Sequence, residues 1–269
     1  MPIQMLRNLL AGLVLLPAIC AAQAHGPYLG FDKNLYPGDD LLPVLHKTFD
    51  FTGYWLNDPP GMTSNPWAGK RVQLRAAGFG FLILFNGRLD VQLKSANAAD
   101  LGRSDAAAAV EAAHREGFPP NAILFLDQEE GGRLLPEQAA YLSAWLAGVT
   151  KAGFRPGIYC SGIDTTDVSG TISTAKDVAA RFPGIRLWVV NDKCPPAPGC
   201  VVHALDPAKS GVENALAWQF ARSPRSEFAS ACAQGYASDQ NCYAPDLPHS
   251  EKSFVDLNAS ASPDPSGGR

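Results

Sequence analysis

The sequence has few histidines, no excess of positive charge and no Gly-rich phosphate loop. None of the five histidines stands at the end of an apolar run, which argues against a metal site built from histidine. Lys and Arg number 22 against 26 Asp and Glu, and the resulting charge of -4 argues against a nucleic-acid partner. The first apolar run continues into Phe31-Asp32-Lys33-Asn34 rather than a Gly-rich loop, which disfavours an open dinucleotide-binding sheet.

The N-terminus has the three parts of an export signal. Arg7 is the only charge before the apolar run Leu9–Leu16, and Ala22-Gln23-Ala24 supplies small residues at a cleavage site. The run is too short to cross a bilayer as a helix. We therefore predict that residues 1–24 are removed and that the protein is secreted or periplasmic, with no stable membrane anchor after cleavage. The alternatives are an uncleaved anchor and lipidation at Cys20.

Cysteine spacing points to disulfides rather than to zinc. Cys194 and Cys200 bracket a Pro-rich loop, and Cys232 and Cys242 bracket a polar one. In an oxidising compartment each pair is predicted to form a local disulfide, and neither has the C-x-x-C spacing of a zinc site. Cys160 is left over and is predicted to be a buried thiol on a strand.

The length suits one large α/β domain. Removing 24 of the 269 residues leaves 245, which is typical of a single α/β barrel, and the 46% hydrophobic content is ample for one core. We expect the barrel to cover residues 25–259. The Pro-, Ser- and Gly-rich residues 260–269 are expected to form a disordered tail.

Eight short apolar or aromatic runs recur along the chain, and most end in a polar residue. Several lack polar alternation, as strands buried on both faces do. Helical stretches separate many of them, with Ser104 as one predicted N-cap, so the pattern predicts a single (β/α)8-type TIM barrel, irregular in its last third. The runs are Tyr28–Asp32, Thr52–Asp58, Phe79–Asn86, Ala122–Glu129, Gly157–Ser161, Leu187–Asp192, Ala215–Phe220 and Phe254–Asn258.

Acidic and amide side chains dominate the ends of these runs. In an α/β barrel the functional groups come from the carboxyl ends of the strands, so these side chains are expected to meet at one mouth. They are Asp32, Asp58, Asn86, Asp127, Glu129, Asn191, Gln219 and Asp256.

The densest signal is the segment Ile123 to Gly132, which contains two carboxylates two residues apart. The side-chain period of a strand is two, so Asp127 and Glu129 share the face that points into the barrel. The deeper carboxylate is expected to resist ionisation, and paired acids in different environments divide acid and base roles. We assign Glu129, nearer the rim, as the general acid, and Asp127 as a group that orients substrate or stabilises positive charge. The alternative is that these acids cap a helix or pair with Arg133.

Further side chains near the strand ends are candidates for binding a substrate. Trp218, beside Gln219, is a candidate sugar contact because sugar rings stack on aromatic faces. Asn57 and Asp58 precede two prolines, where they either line the groove or open a turn. Tyr159 and Asn86 complete this set.

Five segments also occur in an order that resembles a known family. The chain resembles the glycoside hydrolase family 25 lysozymes, and more closely a glycoside-hydrolase-like barrel family known as domain of unknown function 1906, from Tyr28 to Asn258. The segments are Gly30-Phe31-Asp32, Phe125-Leu126-Asp127-Gln128-Glu129, Pro156-Gly157-Ile158-Tyr159, Ala217-Trp218-Gln219-Phe220 and Val255-Asp256-Leu257-Asn258.

The resemblance implies an enzyme that cleaves the glycan strand of peptidoglycan. By motif, Asp127 and Glu129 match the family's D-x-E pair on the fourth strand, with Glu129 as the proton donor. Asp32 matches an acid after the first strand, and Asp256 matches the acid of the last V-D-x-N segment. The Lys-Asn-Leu-Tyr stretch after Asp32 departs from the lysozymes, as does the loop around Cys232, and both departures bear on the substrate more than on the fold.

These observations support three hypotheses. The first is a secreted glycosidase that acts on a cell-wall polysaccharide, which the resemblance implies is peptidoglycan, and that needs no cofactor. The second is a glycan-binding barrel that keeps its acids as hydrogen-bond acceptors. The third is an enzyme whose carboxylates bind a divalent cation that takes part in a phosphodiester reaction. A chelator separates the third from the first, because only the third loses activity to it.

Overall fold

The computed structural model describes residues 26–192, 203–222 and 255–269. The predicted signal at 1–24 and the four cysteines Cys194, Cys200, Cys232 and Cys242 lie outside these residues. Cys160 lies inside them and is free and buried on its strand, as predicted. No helix among the described residues is long and apolar enough to cross a membrane.

Eight strands close into a barrel, which confirms the predicted fold class. The closed order is β1-β2-β3-β4-β5-β8-β9-β10, and β6 and β7 form a separate hairpin that the sequence did not predict. The strands are β1 Tyr28–Asp32, β2 Phe51–Trp55, β3 Gly80–Asn86, β4 Ile123–Gln128, β5 Arg155–Ser161, β6 Thr165–Asp167, β7 Gly170–Ile172, β8 Arg186–Val190, β9 Ala217–Ala221 and β10 Asp256–Ser260.

The last strand runs against its neighbours. β10 pairs antiparallel with both β9 and β1, whereas the other neighbouring strands of the barrel are parallel. The beginning of β10 therefore lies at the same mouth as the carboxyl ends of the other strands. Asp256, which opens β10, reaches that mouth because the strand is reversed.

The helices pack outside the barrel. They are α1 Leu42–Leu45, α2 Arg71–Ala76, α3 Asp90–Lys94, α4 Ala98–Arg115, α5 Pro136–Lys151 and α6 Thr174–Arg181, with 3-10 turns at Asp39–Leu41 and Pro207–Ser210. The predicted N-cap at Ser104 is wrong: α4 begins six residues before it, and the side chain of Asn97 caps it by accepting from the backbone of Asp100. Gly102, which looks like a helix breaker, lets α4 approach α5, since a Cβ there would collide with the carbonyl oxygen of Tyr141.

The C-terminal residues are ordered, and the expected disordered tail from residue 260 is wrong. Ser260 is the last residue of β10, and the segment after it closes the barrel end opposite the mouth. Ser266 is fully buried there: its hydroxyl accepts from the backbone N–H of Ile83 at 3.0 Å, and its carbonyl accepts from Ile123 at 2.8 Å. Arg71 donates two bonds to the carbonyl of Gly268. The Pro-, Ser- and Gly-rich segment therefore supplies hydrogen-bond partners for the ends of the strands.

Replacing Ser266 by Ala tests this closure. The N–H of Ile83 would lose its partner in a buried place, and we expect a loss of about 1–3 kcal/mol in the free energy of unfolding, measured by urea denaturation. Ser169→Ala, on the exposed tip of the β6–β7 hairpin, is the control. Equal stability of the two variants would contradict the role given to Ser266.

Candidate active site

A cavity of about 260 Å³ opens at the barrel mouth, and we call it the acidic cavity. The strand ends supply most of its walls, as the barrel geometry requires. All four acids predicted as catalytic line it, together with Tyr159 and Gln219 from the predicted binding set. The complete lining is Asp32, Asn34, Trp55, Leu84, Asp127, Glu129, Tyr159, Val190, Gln219, Arg222 and Asp256.

Asp127 is the deepest acid of the β4 pair. It is 3% exposed and stands above Phe125, which fills the barrel interior against Trp188. Neither of its carboxylate oxygens has a hydrogen-bond partner among the described residues. Burial, followed by the negative charges of Glu129 and Asp32, raises the pKa of Asp127 well above its ordinary value. Asp127 is therefore the group of this site that is set up to hold a proton.

Glu129 follows directly after β4 and is exposed at the rim. Partial loss of hydration raises the pKa of its carboxyl, and the positive charge of Arg222 opposes that rise. Arg222 itself is bound by Asp192 across the rim, with a shortest N–O distance of 2.5 Å. Glu129 is thus open to solvent, and Asp127 lies beneath it.

Two buried side-chain amides hold Asp32. Asn258 Nδ2 donates to Asp32 Oδ2 at 2.6 Å, and Gln219 Nε2 donates to the same oxygen at 2.8 Å. Gly53 makes room for this side chain, since a Cβ there would lie 2.6 Å from the Cβ of Asp32. Burial raises the pKa of Asp32 to about 6, while the two amide bonds act in the opposite direction. Asp32 therefore gives up its proton more readily than Asp127, whose pKa burial raises well above its ordinary value.

Both amides are oriented by aromatic donors behind them. The Tyr159 hydroxyl donates to Gln219 Oε1, and the Trp188 indole donates to Asn258 Oδ1, each at 2.8 Å. Because each amide oxygen is occupied, each amide NH2 group is turned toward Asp32. The two rings also contact each other, with centroids 4.7 Å apart. Tyr159 thus acts on the site through Gln219 as well as lining the cavity.

Asp256 joins this network from the reversed strand. Gln219 Nε2 lies 3.3 Å from Asp256 Oδ2, so a single amide contacts the acids at the ends of the first and last strands. The sequence segment that contains Asp256 also contains Asn258, which we did not select. The period of two in a strand was the available signal, because it places Asn258 on the same face as Asp256. Arg222 was missed as well, since nothing in its local sequence marks it.

Three of the predicted binding residues lie in a neighbouring cavity rather than in the acidic cavity. Asn57, Asp58 and Asn86 line a space of about 360 Å³, which we call the rim cavity. The complete lining of the rim cavity is Asn57, Asp58, Phe85, Asn86, Gly87, Arg88, Gln92 and Asp105.

The geometry does not place Trp218 where a sugar contact requires it. Trp218 is 3% exposed, and its indole donates to the carbonyl of Asn191 at 2.8 Å. Gln219 points into the barrel, so its neighbour on the strand points outward, where Trp218 packs against Phe220. Trp218 is a wall residue of the fold, and Asn191 also serves structure, since its amide donates to the carbonyl of Ser210.

Within residues 26–192, 203–222 and 255–269, no group of three or more His, Cys, Asp or Glu side chains is arranged to hold a metal ion. The alternative that Asp127 or Glu129 pairs with Arg133 is also not seen, because Arg133 bonds to Asp167 and Asp177.

The sequence of the barrel matches a family profile described as "Rv2525c-like, glycoside hydrolase-like domain" over residues 51–196. The chain belongs to this family. The match contains β2 to β8 and therefore the Asp127–Glu129 pair, and it confirms the resemblance to a glycoside-hydrolase-like barrel. No curated protein sequence matches the chain.

Solved structures of this glycoside-hydrolase-like fold agree over most of the chain. An uncharacterized protein of B. stearothermophilus is 21% identical with a TM-score of 0.56, over 87% of this chain and 95% of that one. The Clostridium perfringens spore cortex lytic enzyme SleM is 16% identical with a TM-score of 0.51, over 88% and 68%. The Tat-secreted protein Rv2525c of Mycobacterium tuberculosis, in complex with L-tartrate, is 14% identical with a TM-score of 0.50, over 88% and 96%. At these identities the likeness establishes the fold.

Asn258 and Gln219, whose side-chain amides donate to Asp32, form what we call the amide clamp. The clamp predicts an order of pKa changes at Asp32. Replacing Asn258 by Ala removes the stronger of the two bonds to the ionised carboxylate, and Gln219→Ala removes the weaker. Loss of a bond to the charged form raises an acid's pKa, so both variants should move the Asp32 midpoint above about 6, Asn258→Ala further. Carboxyl-carbon NMR titration measures the midpoints. A midpoint that falls or stays in Asn258→Ala would contradict the clamp.

Burial of Asp127 predicts how stability depends on pH. The folded protein holds this proton more tightly than the unfolded chain, whose carboxyl has the ordinary pKa of 3.8. Stability is then greatest below that value and is lost as pH rises through the raised folded pKa. Asp127→Asn removes this titration, so the variant should lose less stability than the wild type between acid and neutral pH. Urea denaturation across the range, with exposed Asp40→Asn as control, measures the difference; curves for Asp127→Asn parallel to the wild type would rule the assignment out.

Proposed function

We propose that this chain is a secreted glycoside hydrolase that cleaves a cell-wall glycan such as peptidoglycan. The observation that carries the proposal is that the carboxyls of one cavity stand in different environments. Burial raises the pKa of Asp127 well above its ordinary value, two amides hold Asp32 and favour its ionised form, and Glu129 stands accessible at the rim. Pairs of acids whose environments separate their pKa values are the usual basis of glycosidic bond cleavage.

The chemistry assigns a task to each group. Glu129 gives its proton to the glycosidic oxygen as the bond from that oxygen to the sugar carbon breaks. The positive charge that develops on the sugar is stabilised by the ionised Asp32, or by an acetamido group of the substrate. Water then adds to the sugar carbon, and its proton returns to Glu129. Asp127, protonated, donates a hydrogen bond that orients the substrate, and Asp256 shares the amide of Gln219 with Asp32.

The likeness to SleM, a spore cortex lytic enzyme, supports a bacterial cell-wall glycan as the substrate class. The export signal predicted at residues 1–24 also supports this substrate class, because cell-wall glycan lies outside the cytoplasm. The polar lining of the acidic cavity, with carboxylates and amides beside Trp55 and Tyr159, is suited to sugar hydroxyls and ring faces.

A second candidate is a glycan-binding barrel without catalysis. One observation favours it: Glu129, the proposed acid, is exposed, and the charge of Arg222 opposes the rise of its pKa. A general acid needs its proton near the working pH. In this second case the acids serve as hydrogen-bond acceptors, and the protein binds glycan without producing reducing ends.

Replacing Glu129 by Gln separates the two candidates. Purified mature protein is incubated with peptidoglycan and a panel of bacterial and plant polysaccharides, and new reducing ends are measured. Loss of a general acid should slow release by about 10²–10⁴-fold, while the melting temperature stays close to that of the wild type. Added chelator should leave the rate unchanged.

The matched control is Glu111→Gln, an exposed glutamate on α4 far from the mouth. It should release reducing ends at the wild-type rate. Glycan binding without release by the wild type and by Glu129→Gln alike would establish the binding barrel instead. Release by Glu129→Gln at the wild-type rate would remove Glu129 from the chemistry.

A further inference from the structure

The rim cavity and the acidic cavity share one stretch of the barrel rim. Asn86, in the rim cavity, pairs in register with Asp127, in the acidic cavity. The next residue, Gly87, lies against the backbone of Asp127, because a Cβ at Gly87 would collide with the carbonyl oxygen of Asp127. Trp55, the last residue of β2, lines the acidic cavity, and Asn57, two residues further on, lines the rim cavity. The two cavities therefore lie side by side across β2, β3 and β4.

The walls of the rim cavity are fixed in place before any ligand arrives. Asn57 and Asn86 exchange two side-chain-to-backbone bonds of 3.0 and 2.7 Å, and the amide of Asn86 donates to the carbonyl of Asp58 at 2.9 Å. Arg88 holds the buried Asp105 through two bonds of 2.7 and 2.8 Å. A site whose walls are already ordered loses little conformational entropy on binding.

The charged side chains of the rim cavity are Arg88, Asp105 and Asp58, one positive and two negative, so the cavity disfavours an anion. Asp105 neutralises Arg88 in a two-bond pair, so the cavity has no unmatched positive charge from that arginine to attract an anion. The Gln92 side chain uses its oxygen to accept from the backbone of Leu89, which leaves its NH2 group to donate outward. The carboxylate of Asp58 is exposed and accepts no hydrogen bond from the described part of the chain. Donors and acceptors without net positive charge match the hydroxyls of a neutral sugar.

We propose that the rim cavity binds an outer, uncharged sugar unit of a chain glycan whose inner units occupy the acidic cavity. The inference rests on the proposed function for the inner units and deepens it by assigning a second binding place on the same glycan chain. The ligand is an oligosaccharide or polymer long enough to fill both cavities, and a single terminal sugar is a poor one. Gln92 donates to, and Asp58 accepts from, the hydroxyls of the outer unit.

Chain length is the variable that tests this proposal. Binding of β-1,4-linked N-acetylglucosamine oligomers, from the disaccharide to the hexasaccharide, is measured by calorimetry in the Glu129→Gln protein, so that no oligomer is cleaved. We expect affinity to rise with length. Adding Asp58→Ala or Gln92→Glu should weaken the hexasaccharide about fivefold to tenfold, the worth of one lost hydrogen bond, and leave the disaccharide unchanged. Gln92→Glu keeps an oxygen for the N–H of Leu89 and replaces the outward donor by an acceptor with a negative charge.

Gln73→Glu, on the exposed face of α2, is the matched control and should bind every oligomer as the parent does. Affinity independent of length, equal weakening of all lengths, or wild-type binding by both variants would each overturn the proposal. A protein that binds longer oligomers more tightly but releases no reducing ends in its unmutated form would keep this inference and lose the proposed catalysis. The two failures are therefore distinguishable.

Discussion

The hydrogen bonds from two side-chain amides to a single oxygen of Asp32 are the constraint on which the mouth of this barrel depends. Asn258 and Gln219 reach Asp32 from strands that are 226 and 187 residues away in sequence, so the clamp forms only when the barrel closes. Both amides are aimed by Trp188 and Tyr159. Closure of the fold and preparation of the site are thus the same event.

The clamp also sets the electrostatics of the neighbouring acids. An ionised Asp32 adds a negative charge beside Asp127, which has no donor among the described residues to stabilise its own ionised form. Two buried carboxyls whose charges repel each other do not both ionise easily, and the two amide bonds favour ionisation of Asp32. The arrangement separates an acid that ionises more readily from one that holds its proton, and side-chain amides make that separation.

Local sequence patterns predict part of this arrangement, and the limits are physical. Runs of apolar residues located all eight barrel strands, and a period of two placed Asp127 and Glu129 on one face. Periodicity has no direction, so nothing local indicated that β10 is reversed. Alternation applied to Trp218 would have turned it away from the cavity once Gln219 pointed inward, but its aromatic ring suggested a sugar contact. The Pro-, Ser- and Gly-rich end resembles a disordered tail by composition, yet its backbone groups complete the bonds of the strand ends around Ser266.

Asp127 connects stability with the proposed activity. A carboxyl that is buried without hydrogen-bond partners destabilises the fold when it ionises, because its charge is removed from water. Replacement by a neutral residue of the same shape removes this destabilisation. Retaining an acid there is reasonable when a ligand completes its hydrogen bonds, because the proton it holds then becomes a donor aimed into the cavity. The same reasoning joins the two cavities: an inner sugar unit would satisfy Asp127, and an outer unit would satisfy Asp58 and Gln92. Asp127, Asp58 and Gln92 then mark where one extended ligand would donate and accept hydrogen bonds.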